Sequence, residues 1–477
     1  MATQEESSLR EESSRSINLP TMFRIGLFNL GLGLMSVLTV AVINRVMISE
    51  LAIPGTITAG VVAVQYFISP TRVWFGQMSD SRPLFGLHRT GYVRIGTVIF
   101  GIAIFLSVQV VWQLGGIVAE TGVWEWNGLT LFWTGVLILI FLLYGLAISA
   151  SSTPFTALLV DISSEQERSR IVAVVWSMLM VGIILGGITG KIFLTQVEGL
   201  EGRPLDILPG PINSLFLVIP LIVVGLSWFS TWKIERKYSL YARRSSASDR
   251  EDSVTLLKAL KVLTVSRQTG IFFSFLLLVT ISLFLQEAVL EPYGGEIFKM
   301  SIGDTTMLNS YWGIGILVGY SITGFALIPR FGKTPVTKVG CGVVAGCFLL
   351  IILAGFTQNP LILKGAMLLF GLAAGVTTLG AISLMLDLTV ASTAGTFIGT
   401  WGLSQALARG IATWSGGIIL DIGKQVFSEP LWAYGSVFLL QAIVMIGAMF
   451  LLAQVDVTEF RNNTKEAIAT VMEGDLD

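Results

Sequence analysis

Twelve separate apolar runs, each about 20 residues long, leave this chain of 477 residues little freedom in how it folds. Each is long enough to cross a bilayer as a helix, and in lipid only helices and closed barrels satisfy their own backbone hydrogen bonds. The approximate bounds are 22–46, 55–78, 92–113, 129–151, 170–194, 212–232, 268–290, 305–327, 338–356, 361–386, 394–419 and 432–454. Composition agrees: 53% of residues are hydrophobic, only 13% are charged and the mean hydropathy is +0.77, whereas soluble domains carry about 25% charge.

Lysine and arginine set the expected orientation. With both termini cytoplasmic, the inner segments hold 23 of the 30 basic residues, the outer segments hold six (Arg45, Lys191, Arg203, Lys299, Lys364, Lys424) and Arg409 falls within a span. That bias follows the positive-inside rule. The first 20 residues are polar and charged, so they read as a cytoplasmic tail and not a signal peptide. Cys341 and Cys347 lie six residues apart in one span, on different helix faces, a poor arrangement for a disulfide or a metal pair. A net charge of −1, with no basic patch interleaved with aromatics, gives no sign of nucleic acid as a partner.

The chain repeats itself. Leu142-Leu143-Tyr144-Gly145-Leu146-Ala147 recurs as Leu368-Leu369-Phe370-Gly371-Leu372-Ala373, and at the same offset of 226 Ala157-Leu158-Leu159-Val160-Asp161 recurs as Ser383-Leu384-Met385-Leu386-Asp387. Matched halves in one orientation, with a polar stretch between them, describe an all-α polytopic membrane protein of two six-helix bundles. This resembles the parallel-repeat plan of major facilitator transporters. The expected division is a tail over 1–21, bundles over 22–232 and 268–454, a cytoplasmic linker over 233–267 and a second tail over 455–477.

Loop residues strengthen the resemblance. Gly76-Gln77-Met78-Ser79-Asp80-Ser81-Arg82, with Arg89 further on, resembles the superfamily signature between spans two and three, and Asp161 to Arg168-Ser169-Arg170 resembles its acidic-to-arginine turn after span four. The resemblance implies a cytoplasmic latch of Asp80, Arg82, Arg89, Asp161, Arg168 and Arg170, in which carboxylates pair with arginines and cap helix ends while the protein faces outward. Asp387, the counterpart of Asp161, lacks a following basic run, so the second half is expected to latch more weakly. By composition alone the same charges need only mark the cytoplasmic edge. His88, the one histidine, falls in this loop and reads as a solvated residue.

The end of span seven carries the most chemistry. Glu287 and Glu291 follow the apolar run from Ile271 to Leu285 and are expected to share one helical face before Pro292, Gly294 and Gly295 stop the helix. Charges in a bilayer are costly, about 2.5 to 3.5 kcal/mol on insertion scales, and need partners, water or a function. Arg409, some way into span eleven, and Arg45, at the end of span one, lie at comparable depth. The expectation is an outer-leaflet cluster of Glu287, Glu291, Arg409 and Arg45 facing a central cavity, either as a ligand site or as ion pairs that fix helix packing. Trp401, Gln405 and Arg409 share a face of span eleven, and Trp176 matches Trp401 one residue off the repeat; stacking of a planar ligand and plain helix packing both account for that stripe.

The segment Glu291-Pro292-Tyr293-Gly294-Gly295-Glu296, the block from Gly399-Thr400-Trp401-Gly402 to Arg409-Gly410, and the stretch Gly31 to Leu51 containing Asn44-Arg45-Val46-Met47-Ile48 strongly resemble the PucC/LhaA family, also called the bacteriochlorophyll delivery family. The similarity covers spans one to twelve. It implies chlorophyll or bacteriochlorophyll as a bound ligand and delivery of that pigment to light-harvesting or photosystem apoproteins in a photosynthetic membrane, thylakoid or cytoplasmic. It also implies membrane lipid, those apoproteins and chlorophyll-synthesis enzymes as partners. With its histidine in a loop, the chain would meet the pigment Mg²⁺ through a carboxylate, an amide such as Asn44 or Gln405, a backbone carbonyl or water. No nucleotide loop, zinc-ligand spacing or Ser/His/Asp set is legible, so an enzyme is not expected. A proton- or Na⁺-coupled transporter of a small solute and a pigment-free assembly scaffold remain open alternatives.

Overall fold

The computed structural model of the chain describes residues 17–163, 165–198, 202–239, 267–388 and 394–455, and almost all of them are helical. The first bundle comprises α1 (Leu19–Glu50), a second span broken into α2 (Gly55–Phe67) and α3 (Thr71–Ser81), then α4 (Thr90–Thr121), α5 (Gly128–Ile162), α6 (Glu165–Leu194) and α7 (Pro209–Thr231). The second comprises α8 (Arg267–Phe284) with α9 (Leu290–Phe298), then α10 (Ile302–Ile322), α11 (Lys333–Thr357), α12 (Pro360–Leu388), α13 (Ala394–Val426) and α14 (Pro430–Leu452). Among the described residues, ten helices are long and apolar enough to cross a membrane by themselves. The other two expected spans are α2–α3, divided at 68–70, and α13, which carries Arg409, Asp421 and Lys424.

Helix ends are closed by local side chains. Asn18 Oδ1 accepts from the Thr21 N–H at 3.1 Å to start α1, Asn127 and Thr130 form a capping box on α5, and Ser301 Oγ accepts from the Asp304 N–H at 3.1 Å to start α10. Inside α1 the winding loosens twice into π turns, at Leu38–Val42 and Val46–Glu50, which rotate the intervening Asn44 and Arg45 relative to a regular helix.

The internal repeat has a packing reason. Gly145 and Gly371, equivalent in the two halves, sit where α5 crosses α2 and where α12 crosses α10. A Cβ on Gly145 would lie 2.9 Å from Gln65 Cα, and one on Gly371 would lie 2.2 Å from the Trp312 carbonyl oxygen. Lipid gives helices no hydrophobic reason to associate, so such close backbone approach supplies the dispersion contact instead. The glycines of α6 serve two neighbours: Gly182 abuts Leu30 of α1 in its own bundle, whereas Gly187 abuts Ser310 of α10 in the other.

The bundles meet along α2 with α13 and along α6 with α10. The face where α7 ends and α8 begins may be named the linker side. On the opposite, far side, Asp421 of α13 caps α2 by accepting from the Gly55 and Thr56 N–H groups at 2.9 and 2.7 Å. Nearby, Lys191 of α6 pairs with Asp304 of α10 at 2.9 Å, and Ser301 donates to Glu198 at 2.6 Å. These contacts draw the two bundles together at the far side. Replacing Gly371 by Val should push α12 off α10 and destabilise the protein by at least about 1–3 kcal/mol, as overpacked cores do; a detergent-solubilised variant with an unchanged thermal midpoint would contradict this packing.

Candidate ligand-binding site

The expected continuous helix through Glu287 and Glu291 is broken. α8 ends at Phe284, a tight turn covers Leu285–Ala288, and α9 begins at Leu290. Pro292 therefore does not stop a helix; it sits in the first turn of α9, where a missing N–H costs nothing and the fixed φ suits the helix. Gly294 and Gly295 lie inside α9, which ends at Lys299 in the left-handed conformation with φ of 56°. The break turns the two carboxylates toward different surroundings.

Glu287 is fully engaged. Its carboxylate takes both the Nε (3.0 Å) and an Nη of Arg409, and also accepts from Thr413 Oγ1 at 2.8 Å and from the Tyr66 hydroxyl at 3.1 Å. Its backbone carbonyl accepts from Asn44 Nδ2 at 2.9 Å. The Arg409 guanidinium is sandwiched by aromatic rings, 4.7 Å from the Tyr66 centroid and 4.2 Å from that of Phe284. Tyr66 and Asn44 belong to the first bundle, while Glu287, Arg409 and Thr413 belong to the second. The group is a clasp between the halves.

Arg45 does not join it. Its Nη2 pairs with Glu50 of its own helix at 2.9 Å, and its guanidinium lies across α9 where a Cβ on Gly295 would come within 1.9 Å of Cζ. The rest of the Glu-Pro-Tyr-Gly-Gly-Glu segment is equally committed: the Tyr293 hydroxyl donates to the Ile351 carbonyl at 2.8 Å, and Glu296 pairs with Lys424 at 3.0 Å. The expected four-charge cluster is thus two separate ion pairs, Glu287 with Arg409 and Arg45 with Glu50, because the helix break and the π turns of α1 send the side chains apart.

Glu291 remains. It is 1% exposed, its Oε1 accepts from Asn309 Nδ2 at 2.8 Å, and its Oε2 has no hydrogen-bond partner among the described residues. It lines a cavity of about 440 Å³ between the bundles, together with Trp312, whose Nε1 is also unpartnered. The cavity walls are otherwise largely apolar and aromatic, with Trp176, Met180, Phe284 and Tyr320 along them and Gln286, Gln405 and Arg409 adding polar points. This is the make-up and size of an ordinary small-molecule site. Both residues line the cavity wall, and a buried carboxylate oxygen and a buried indole N–H without a protein partner among the described residues are each costly.

Of the other expected site residues, Gln405 lines the cavity and Asn44 is wholly buried in the clasp, away from the cavity wall. Trp401 lies within α13, but its side chain is outside the described residues, as are those of Arg168 and Asp387. The expected latch has a different hub. Arg89 donates to Asp161 Oδ2 at 2.8 Å and to Ser79 Oγ at 2.6 Å and pairs with Asp80 at 2.5 Å, whereas Arg82 and Arg170 are exposed. Burial works against the Arg89 charge, yet the hydrogen bond and charge of Asp161, with Asp80 behind it, leave its pKa raised. These charges join α3, α4 and α5 of one bundle. His88 is half-buried rather than freely solvated, its Nδ1 lying 3.2 Å from the Ser79 carbonyl oxygen.

Sequence reading missed Tyr66, Thr413, Asn309 and Asp421. The signal was present for two of them: Asn309 and Asp421 are polar residues within apolar stretches, where such residues tend to be functional.

The family model described as PUCC protein matches residues 42–460. A Rhodobacter capsulatus protein named "Bacteriochlorophyll synthase 44.5 kDa chain" is 28% identical over 90% of this chain and 93% of its own length. "Protein PucC" of Rhodovulum sulfidophilum is 26% identical over 86% of this chain and 87% of its own. In fold, the chain is similar to the nucleoside transporter NupG (TM-score 0.63, 14% identity, 92% of this chain and 99% of that one) and to a bacterial homologue of the iron transporter ferroportin in an inward-facing state (TM-score 0.64, 14% identity, 91% of this chain and 100% of that one).

The clasp has a measurable signature. Glu287→Gln and Arg409→Met should each destabilise the protein by about 3–5 kcal/mol, since each strands a buried partner, and the double variant should cost less than the sum of the two. Strict additivity in denaturant unfolding would show that the pair is not coupled.

Proposed function

The chain belongs to the PUCC protein family, and on that premise we propose that it holds (bacterio)chlorophyll in the cavity between its bundles and hands the pigment to light-harvesting or photosystem apoproteins. The single observation that carries the reading is the buried Glu291 carboxylate, one oxygen unpartnered among the described residues, at the wall of a largely apolar and aromatic cavity. The pigment is cargo: a flat apolar ring with a central Mg²⁺, a hard cation that favours oxygen ligands. Glu291 supplies such an oxygen, Trp312 and Trp176 supply faces for stacking, and Asn309 holds the other oxygen of the carboxylate. One oxygen ligand and apolar walls suit a pigment held for transfer rather than kept.

The protein acts on this reading as a carrier and not a catalyst, although one relative has synthase in its name. The cavity side chains Glu291, Asn309, Gln286, Gln405 and Arg409 offer hydrogen bonds and charge but, among the described residues, no nucleophile with an adjacent base. Both termini lie in the cytoplasm, supported by the lysine and arginine bias, in a membrane where pigment proteins are assembled. A coupled solute transporter is the second reading, favoured by the same Glu291: a buried carboxyl without a cation is a natural proton site.

Protein purified in mild detergent from pigment-producing cells should carry a chlorophyll-type absorption band. Glu291→Leu should lower retained pigment about tenfold, the order expected for losing one interaction with a charged group, while leaving the far-ultraviolet circular dichroism intact. A colourless wild type that takes up protons with a solute would overturn pigment handling in favour of transport.

A further inference from the structure

On the linker side, away from the cavity, α4 and α7 enclose a second pocket of about 490 Å³. Its wall is made by Arg94 of α4, by Trp228 and Phe229 of α7, and by Trp232, Lys233 and Arg236 just beyond it. α7 ends at Thr231, and Lys233 turns the chain through a left-handed φ of 58° into a short helix, Ile234–Tyr238. That turn brings Lys233 and Arg236 beside the helix end while the three aromatics stay on the outer surface, 47%, 53% and 59% exposed for Trp228, Phe229 and Trp232.

Cations sit directly against these rings. The Arg94 guanidinium lies 5.8 Å from the Trp228 centroid, and that of Arg24 of α1 lies 5.5 Å from Phe229 while donating to the Trp232 carbonyl. Among the described residues Arg24, Arg94, Lys233 and Arg236 form no ion pair, and the Nε atoms of Arg24 and Arg94 are buried without an acceptor. The one acid in the pocket, Glu235, is already spent on the start of α4: it accepts from the His88, Arg89 and Thr90 N–H groups at 2.7, 3.1 and 2.7 Å. The pocket is therefore net cationic at the helix ends, its three basic side chains outnumbering the single carboxylate of Glu235, and apolar along the helix.

We propose that this pocket binds the phosphate headgroup of an anionic membrane lipid, with Arg94, Lys233 and Arg236 holding the phosphate and Trp228, Phe229 and Trp232 against the acyl chains. The aromatic wall decides for a lipid over a soluble anion. A free phosphate would use only the cations, whereas the exposed rings line the same pocket and continue toward the hydrocarbon.

The test is native mass spectrometry of the full chain released from detergent micelles doped with phosphatidylglycerol or with phosphatidylcholine of the same acyl chains. Phosphatidylglycerol should be retained preferentially. Lys233→Gln and Arg236→Gln, both at exposed positions, should each reduce its retention about fivefold, the order expected for one basic residue near an anionic surface, and Arg94→Gln should do the same if it folds. Equal retention of the two lipids, or unchanged phosphatidylglycerol retention in the Lys233→Gln/Arg236→Gln double variant, overturns the proposal. Displacement of the lipid by millimolar inorganic phosphate overturns it too, assigning the pocket to a soluble anion.

Discussion

A carboxylate in the low-dielectric interior of a membrane protein must be compensated by charge and hydrogen bonds, and the joint between the two bundles is organised around meeting that demand at Glu287. Four hydrogen bonds from Arg409, Thr413 and Tyr66 converge on its two oxygens, and Asn44 takes its carbonyl. Two of the four partner residues come from the first bundle. The halves are thus tied by a polar group at a place where lipid-facing packing would supply only dispersion, and Phe284 and Tyr66 shield the guanidinium from both sides.

Because Arg409 is paired there and Arg45 is paired with Glu50, Glu291 forms no ion pair among the described residues. Two acidic residues four positions apart have different partners for a backbone reason: the turn over Leu285–Ala288 interrupts the helix, and while both line the cavity, Glu287 is bound into the clasp and Glu291 is held by Asn309. The rest of the segment makes this orientation rigid. Pro292 preorganises the first turn of α9, Tyr293 anchors it to α11, and Gly295 leaves room for Arg45 to lie across it. Pro292, Tyr293, Gly295 and Glu296 each have a structural task, and one Glu291 oxygen is left without a protein partner among the described residues.

Charges elsewhere obey the same economy. Glu235 and Asp421 are committed to backbone N–H groups at the starts of α4 and α2, where an anion also complements the helix dipole. The capping role of neither was legible in advance, although Asp421 stands out as an acid within an apolar stretch, because the helix each one caps is remote in sequence. The loop signature drew attention to Asp80 and Asp161, and the arginines nearest them in it, Arg82 and Arg170, are exposed. Arg89 takes both carboxylates instead, since it stands at the start of α4 where α3 and α5 end.

What the sequence determined by itself is whatever depends on local composition and periodicity. Apolar runs of membrane length dictate the helices, the 226-residue offset dictates two like bundles, and Gly145 and Gly371 recur because each half repeats one helix crossing. Family membership was legible for the same reason, being carried by short contiguous blocks. Only the tertiary structure decided which charges meet. Glu287 and Arg409 are 122 residues apart, and Glu287 and Tyr66 are 221 apart; such pairings depend on where a helix breaks and how the bundles dock. The turn at Leu285–Ala288, with the π turns of α1, changed an expected four-charge cluster into two ion pairs and one carboxyl group held by an amide at the cavity wall.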